Sequence, residues 1–252
     1  MTLAINLKKI LLCMAVIILL ACSGTGETVP VTVDTGLASA GDSAYYMSRF
    51  DRMLALFFME NSVLADTPDI VALGIAAIYS LDVEVTGPDI EKSVYEIPLV
   101  TGRATVYIQA GDSRQFVVIL RGISSSGYIG RLYGGRAVAD LKEDEAKTVE
   151  ISMRAIPKNI TAIAQSQTDV SLAWDQVSTA ASYRVYRSDG SPTGPFSYIT
   201  EVTSYYYADG YGPNPNQYLV NGTTYYYRVS AMFGTTEGEQ SDISLGATAT
   251  GF

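Results

Sequence analysis

The strongest constraint in this chain is a run of short segments in which apolar and polar residues alternate. Leu81, Val83 and Val85 alternate with Asp82, Glu84 and Thr86. Ala104, Val106 and Ile108 alternate with Thr105, Tyr107 and Gln109, and Val149, Ile151 and Met153 alternate with Thr148, Glu150 and Ser152. A period of two with one polar face predicts half-buried antiparallel strands. Phe116 to Leu120 is apolar at every position, as expected of a central strand covered on both sides. Gly87-Pro88-Asp89, Gly111-Asp112, Ser124 to Gly127 and Gly134-Gly135 read as turns between strands, the last suiting a two-residue hairpin. About seven such strands in 70–154 predict a β-sandwich. The fold class expected for the whole chain is mostly β, with two tandem antiparallel β-sandwiches behind a signal peptide, a flexible tether and one short helix.

Composition excludes several chemistries. The 252 residues include no His, which removes Ser-His-Asp and Cys-His catalysis and histidine-bound metals. The 17 Lys and Arg against 26 Asp and Glu leave no basic face for nucleic acid. The acidic run Leu141 to Lys147 carries interspersed lysines and lacks calcium-loop spacing. No phosphate-binding loop, dinucleotide fingerprint or nucleophile elbow is present. No catalytic residue, metal ligand or cofactor is therefore assigned, and the chain reads as a non-enzyme.

Residues 1–21 have the form of an export signal, with Lys8 and Lys9 before an uncharged stretch from Ile10 to Leu20. That stretch is too short to span a bilayer as a helix, which takes roughly 20 residues. Leu19-Leu20-Ala21-Cys22 resembles the bacterial lipobox. The resemblance implies cleavage before Cys22 and lipidation of its thiol, with several acyl chains at about 0.8 kcal/mol per buried CH₂ giving a stable anchor. With Cys13 in the removed segment, no pair remains for a disulfide. The implied location is the bacterial cell envelope, at the outer membrane, facing either the periplasm or the cell surface.

Residues 22–43 are rich in Gly, Ser and Thr without a sustained apolar period, and read as a flexible tether. Over residues 44–66, Tyr46, Phe50, Met53, Leu54, Phe57 and Phe58 recur at spacings of three and four, predicting an amphipathic helix. Three roles fit it: a cover for an edge of the next domain, an interfacial helix with Arg49 and Arg52 at anionic headgroups, or a processed segment. The region 70–154 loosely resembles a prealbumin-like sandwich module of bacterial envelope lipoproteins.

Residues 155–252 carry a sharper signature. Val170, Leu172 and Trp174 face one way, Tyr183 and Val185 sit in YRVYR, and Leu219-Val220-Asn221-Gly222-Thr223-Thr224-Tyr225 leads into YYRVSA. In this order they resemble a fibronectin type III domain, and the resemblance implies that Trp174, Leu219 and Tyr225 are structural, with the Tyr225 hydroxyl bonded to upstream backbone. The stretch Asp209 to Tyr218 is longer than the family's usual connection, and the integrin-binding Arg-Gly-Asp is absent. Of 18 tyrosines, 11 lie in this region. Strand propensity accounts for many of them. Tyr206, Tyr211, Tyr218 and Tyr226 are the candidates for an exposed contact surface toward a glycan or a protein. The expected function is non-catalytic binding, adhesion or scaffolding by a lipid-anchored protein. The alternatives are glycan binding through those tyrosines and a structural role in a periplasmic or outer-membrane assembly.

Overall fold

The computed structural model describes residues 27–37, 75–99, 102–210 and 219–250. Cys22, the helix expected over 44–66, Tyr211 and Tyr218 lie outside the described residues. The regular structure of the described residues is all strand, in two sandwiches with separate cores.

In the first sandwich a five-stranded sheet packs on a three-stranded one. The larger sheet contains β2 (Ile75–Gly87), β3 (Ile90–Glu96), β5 (Gly111–Ser124), β6 (Ile129–Leu141) and β8 (Arg154–Ala155), in the order β3-β2-β5-β6-β8. The smaller one has the order β4-β1-β7, from β1 (Thr28–Asp34), β4 (Arg103–Gln109) and β7 (Lys147–Glu150). Leu81, Val83, Val85, Val106, Ile108, Val149 and Ile151 are all buried between the sheets, as their alternation requires. Phe116 to Leu120 does form the central strand, with β2 on one side and β6 on the other.

Three expectations are corrected. Residues 28–34 are no tether: β1 is the middle strand of the smaller sheet, antiparallel to β4 and parallel to β7, with Val29, Val31 and Val33 at 0–1% exposure. Alternation with Pro30, Thr32 and Asp34 carried that strand, inside a Gly-, Ser- and Thr-rich surrounding that masked it. The pairing of β1 with β7 also means that the first sandwich is not wholly antiparallel. Finally, Gly134-Gly135 is not a hairpin turn and lies within β6. A Cβ at Gly134 would stand 2.6 Å from Glu239 Cγ, and one at Gly135 would run into the Ser152 carbonyl, so both glycines serve close approach.

A charged group also lies in the first core. Arg114 is fully buried, donating through Nε to the Gln109 carbonyl at 3.0 Å, through Nη2 to the Ala110 carbonyl at 2.7 Å, and to Asp89. Gly87 and Gly111 leave the room its side chain fills. Pairing with two carbonyls and a carboxylate is what makes such burial tolerable.

In the second sandwich β13 (Tyr206–Asp209), β10 (Val170–Ala173) and β9 (Thr161–Ala164) form one sheet. The other has the order β12-β11-β14-β15, from β11 (Ser182–Asp189), β12 (Ser197–Val202), β14 (Thr224–Phe233) and β15 (Thr236–Glu237), with β16 (Ala247–Thr248) also pairing β14. Val170, Leu172, Trp174, Tyr183, Val185, Leu219, Tyr225, Tyr227, Val229 and Ala231 build its core. Trp174 meets Tyr183 edge-on at 5.5 Å.

The two sandwiches are joined by more than the chain. The linker after β8 stays laid along β6, where Ile156, fully buried, donates its N–H to the Leu132 carbonyl, and the Arg154 guanidinium of β8 lies 4.8 Å over the Phe233 ring of the second sandwich. On the outer face of the larger sheet, Glu239 accepts from Arg136 Nε at 2.6 Å and Nη2 at 3.1 Å. Asp242 Oδ2 accepts from the Tyr128 hydroxyl at 2.6 Å and from the Arg131 N–H at 2.8 Å. Ile119, on the outer face, is fully buried and has Gly134 beside it under the Glu239 side chain. The second covered face that Phe116 to Leu120 demanded is thus provided by the second sandwich.

Candidate binding surface

Each functional side chain of the second sandwich takes its direction from strand alternation on β11 and β14. Tyr225 and Tyr227 point inward. The Tyr225 hydroxyl oxygen accepts the Val220 N–H at 2.8 Å, which ties the Leu219 corner to β14. The Tyr227 hydroxyl donates to buried Asp209 at 2.9 Å, and Arg187 donates to the same carboxylate at 3.1 Å. Burial first, and then the Asp209 charge, push the Tyr227 phenol well above its ordinary value. These groups are spent on the core.

Of the four candidate contact tyrosines, the two among the described residues, Tyr206 and Tyr226, do not share a face. Tyr206 lies on β13 with 62% exposure, beside Tyr205 at a ring separation of 5.9 Å. Tyr226 lies on β14 in the other sheet, where it sits over Gly246. The two sheets turn their outer faces in opposite directions, so no single platform contains both.

A different constellation forms on the outer face of the β12-β11-β14-β15 sheet. Ser182, Arg184 and Tyr186 project from β11, and Arg228 and Ser230 from β14 beside them, in the pairing Tyr186 with Arg228 and Arg184 with Ser230. Tyr198 of β12 stands edge-on to Tyr186 at 5.9 Å, 54% exposed, with the Arg184 guanidinium 5.9 Å over its ring. Glu237 of β15 accepts from Arg184 Nη1 at 2.9 Å, from the Ser230 hydroxyl at 2.6 Å and from the Tyr186 hydroxyl. Glu201 accepts from Arg184 Nε at 3.0 Å and from the Ser182 hydroxyl at 2.6 Å.

The electrostatics follow from this geometry. Burial and the Glu237 hydrogen bond push the Tyr186 phenol up to about 12. Desolvation works to raise Glu237, but donors from Ser230, Tyr186 and Arg184 outweigh it and hold the carboxyl below its ordinary value. The result is a set of tyrosine rings with a doubly held arginine in fixed rotamers, the residue types that dominate contact energy where proteins meet. Composition gave no signal for this site. The alternation in YRVYR was the available clue, since it sends Arg184 and Tyr186 to one side and Tyr183 and Val185 to the other. Among the described residues no group of three or more Asp, Glu, His or Cys is placed to hold a metal ion.

Comparison with known proteins returns β-sandwich structures. A Fn3-like protein from Clostridium thermocellum is 31% identical over 36% of this chain and 85% of its own, with a TM-score of 0.30. The FN5 domain of Drosophila Lar is 15% identical over 38% of this chain and 97% of its own, with a TM-score of 0.29. The FN1-FN3 domains of chicken CNTN1 are 15% identical over 68% of this chain and 56% of their own, with a TM-score of 0.32. No family model and no curated protein matches the sequence.

Proposed function

We propose that this chain, whose carboxy-terminal sandwich is a fibronectin type III-like domain, is a non-catalytic, lipid-anchored scaffold of the bacterial cell envelope that presents a binding face at fixed orientation. The observation that carries the reading is the docking of the two sandwiches. A spacer needs its modules held in one geometry, and here the Arg154 guanidinium over the Phe233 ring, the bidentate Arg136–Glu239 pair and the doubly bonded Asp242 couple them. The face presented is that of Arg184, Tyr186 and Tyr198. Lipid at Cys22 supplies the anchor, and its support is the lipobox resemblance.

The test is a distance measurement between the modules. Spin labels at Thr105→Cys in the first sandwich and Thr193→Cys in the second, on the full-length chain extracted from membranes, should give one narrow distance distribution. A broad distribution would remove the rigid-scaffold reading. Labelled palmitate should enter the wild type and not Cys22→Ser; equal incorporation would remove the anchor.

A further inference from the structure

Guanidinium groups gather at the junction of the two sandwiches, and two of them lack the partner that their burial calls for. Arg121 of β5 and Arg131 of β6 are directly opposed across the antiparallel pair, on the outer face of the larger sheet. Like charges in that relation repel. Arg121 is compensated by Asp82, whose Oδ2 accepts from Nη1 at 2.8 Å. Arg131 has only a neutral acceptor for its guanidinium, the Gln240 carbonyl 2.8 Å from Nη1, and its Nε–H is buried without any acceptor.

Arg228 reaches the same place from the second sandwich. Its neighbour Val229 accepts the Ser241 N–H at 2.8 Å, which sets Arg228 alongside the Gln240–Asp242 stretch that Arg131 also contacts. The Arg228 guanidinium lies 4.8 Å over the Phe196 ring, and its Nε–H too is buried and unpaired. Among the described residues neither Arg131 nor Arg228 has a carboxylate at ion-pair distance. The carboxylates nearest to them are committed elsewhere, Glu239 to Arg136 and Asp242 Oδ2 to the Tyr128 hydroxyl and a backbone N–H. Burial above all, with the Arg121 and Arg228 charges adding to it, lowers the Arg131 guanidinium against the opposing pull of Asp242 and Glu239.

Half-buried arginines are ordinarily paired, because an uncompensated charge in a desolvated place is costly. A planar guanidinium with unpaired N–H donors is shaped to grip the oxygens of an oxyanion. We propose that Arg131 and Arg228, with Arg121 beside them, form a binding site for a small oxyanion, a phosphate or a carboxylate group, at the seam between the two sandwiches. A ligand held there would contact both modules, so binding and docking would reinforce each other. The site borders the Arg184–Tyr198 face, since Arg228 of β14 pairs with Tyr186 of β11, and it does not depend on lipid anchoring.

The test uses the full-length chain titrated by calorimetry with inorganic phosphate and, separately, with acetate, chloride holding the ionic strength constant. Saturable binding of phosphate or of acetate is expected, the tighter of the two identifying the group. Arg228→Gln should weaken it at least tenfold, and Arg131→Gln likewise, while Arg103→Gln, which alters an arginine paired with Asp34 on the three-stranded sheet of the first sandwich, should leave it within twofold. Because Arg131→Gln also removes the Gln240 contact, Arg228→Gln is the deciding variant, its thermal midpoint without ligand reporting the fold. The proposal is overturned if neither anion binds saturably, or if a folded Arg228→Gln protein binds as tightly as the wild type.

Discussion

Glu237 shows how much of a protein's pH behaviour can rest on one side chain. Its carboxylate accepts from Ser230, Tyr186 and Arg184, and these donors hold its folded value below the ordinary one despite burial. A lowered folded value means that the stabilisation is present above the unfolded carboxyl's range and is lost as pH falls through the folded value. Denaturant midpoints of the wild type should therefore fall as pH is lowered below about 4.5, and Glu237→Gln should flatten that dependence. Equal slopes for the two proteins would contradict this assignment. The residue scale was the least legible in the sequence. Leu219 and Tyr225 were readable because a turn of fixed length joins them, and Trp174 because it continues the alternation of Val170 and Leu172; all three lie in the core. Glu237 and Arg131 gave no signal, since their meaning comes from partners up to 111 positions away. Arg114 was equally silent: its burial depends on Gly87 and Gly111, which the sequence offers only as turn residues.

At the scale of elements, period two was a dependable guide wherever composition did not argue against it. The segments around Val83, Val106 and Val149 are strands with the buried faces their patterns specify. Residues 28–34 have the same pattern, but Gly, Ser and Thr on either side give the look of a tether, and the parallel partner β7 begins more than a hundred residues later. Parallel pairing leaves no hairpin turn to mark it. Val31, fully buried at the centre of β1, separates the two descriptions experimentally. Val31→Ala should lower the stability of the first sandwich by about 2 kcal/mol, the order expected for losing a buried Val side chain. A substitution in a solvated tether stays within about 0.5 kcal/mol. Urea unfolding followed by hydrogen exchange at Val29, Val31 and Val33 reports both stability and location, and a silent substitution would return the segment to the tether.

For the whole molecule, the decisive fact is that two separate cores meet along a polar seam. Asp242 is the hub of that seam, and Gly134 permits the approach. Wild-type unfolding should be a single calorimetric transition. Asp242→Ala, which strands the Tyr128 hydroxyl and the Arg131 N–H, should separate it into two, at a cost of about 1–3 kcal/mol for each polar group left unsatisfied. One unchanged transition would mean that the Arg136–Glu239 pair and the Arg154–Phe233 contact couple the modules without Asp242. The position of β1 also has a mechanical side. Only residues 23–27 separate Cys22 from its first residue, so a lipid at Cys22 would keep the start of β1 within about 21 Å of the anchored cysteine, at roughly 3.5 Å per extended residue. Force arriving along that short leash would run down the length of a strand bonded on both flanks, loading its hydrogen bonds in shear, all together rather than one after another. A protein tugged at its outer end would then resist where it meets the membrane, with the load borne by the strand nearest the anchor.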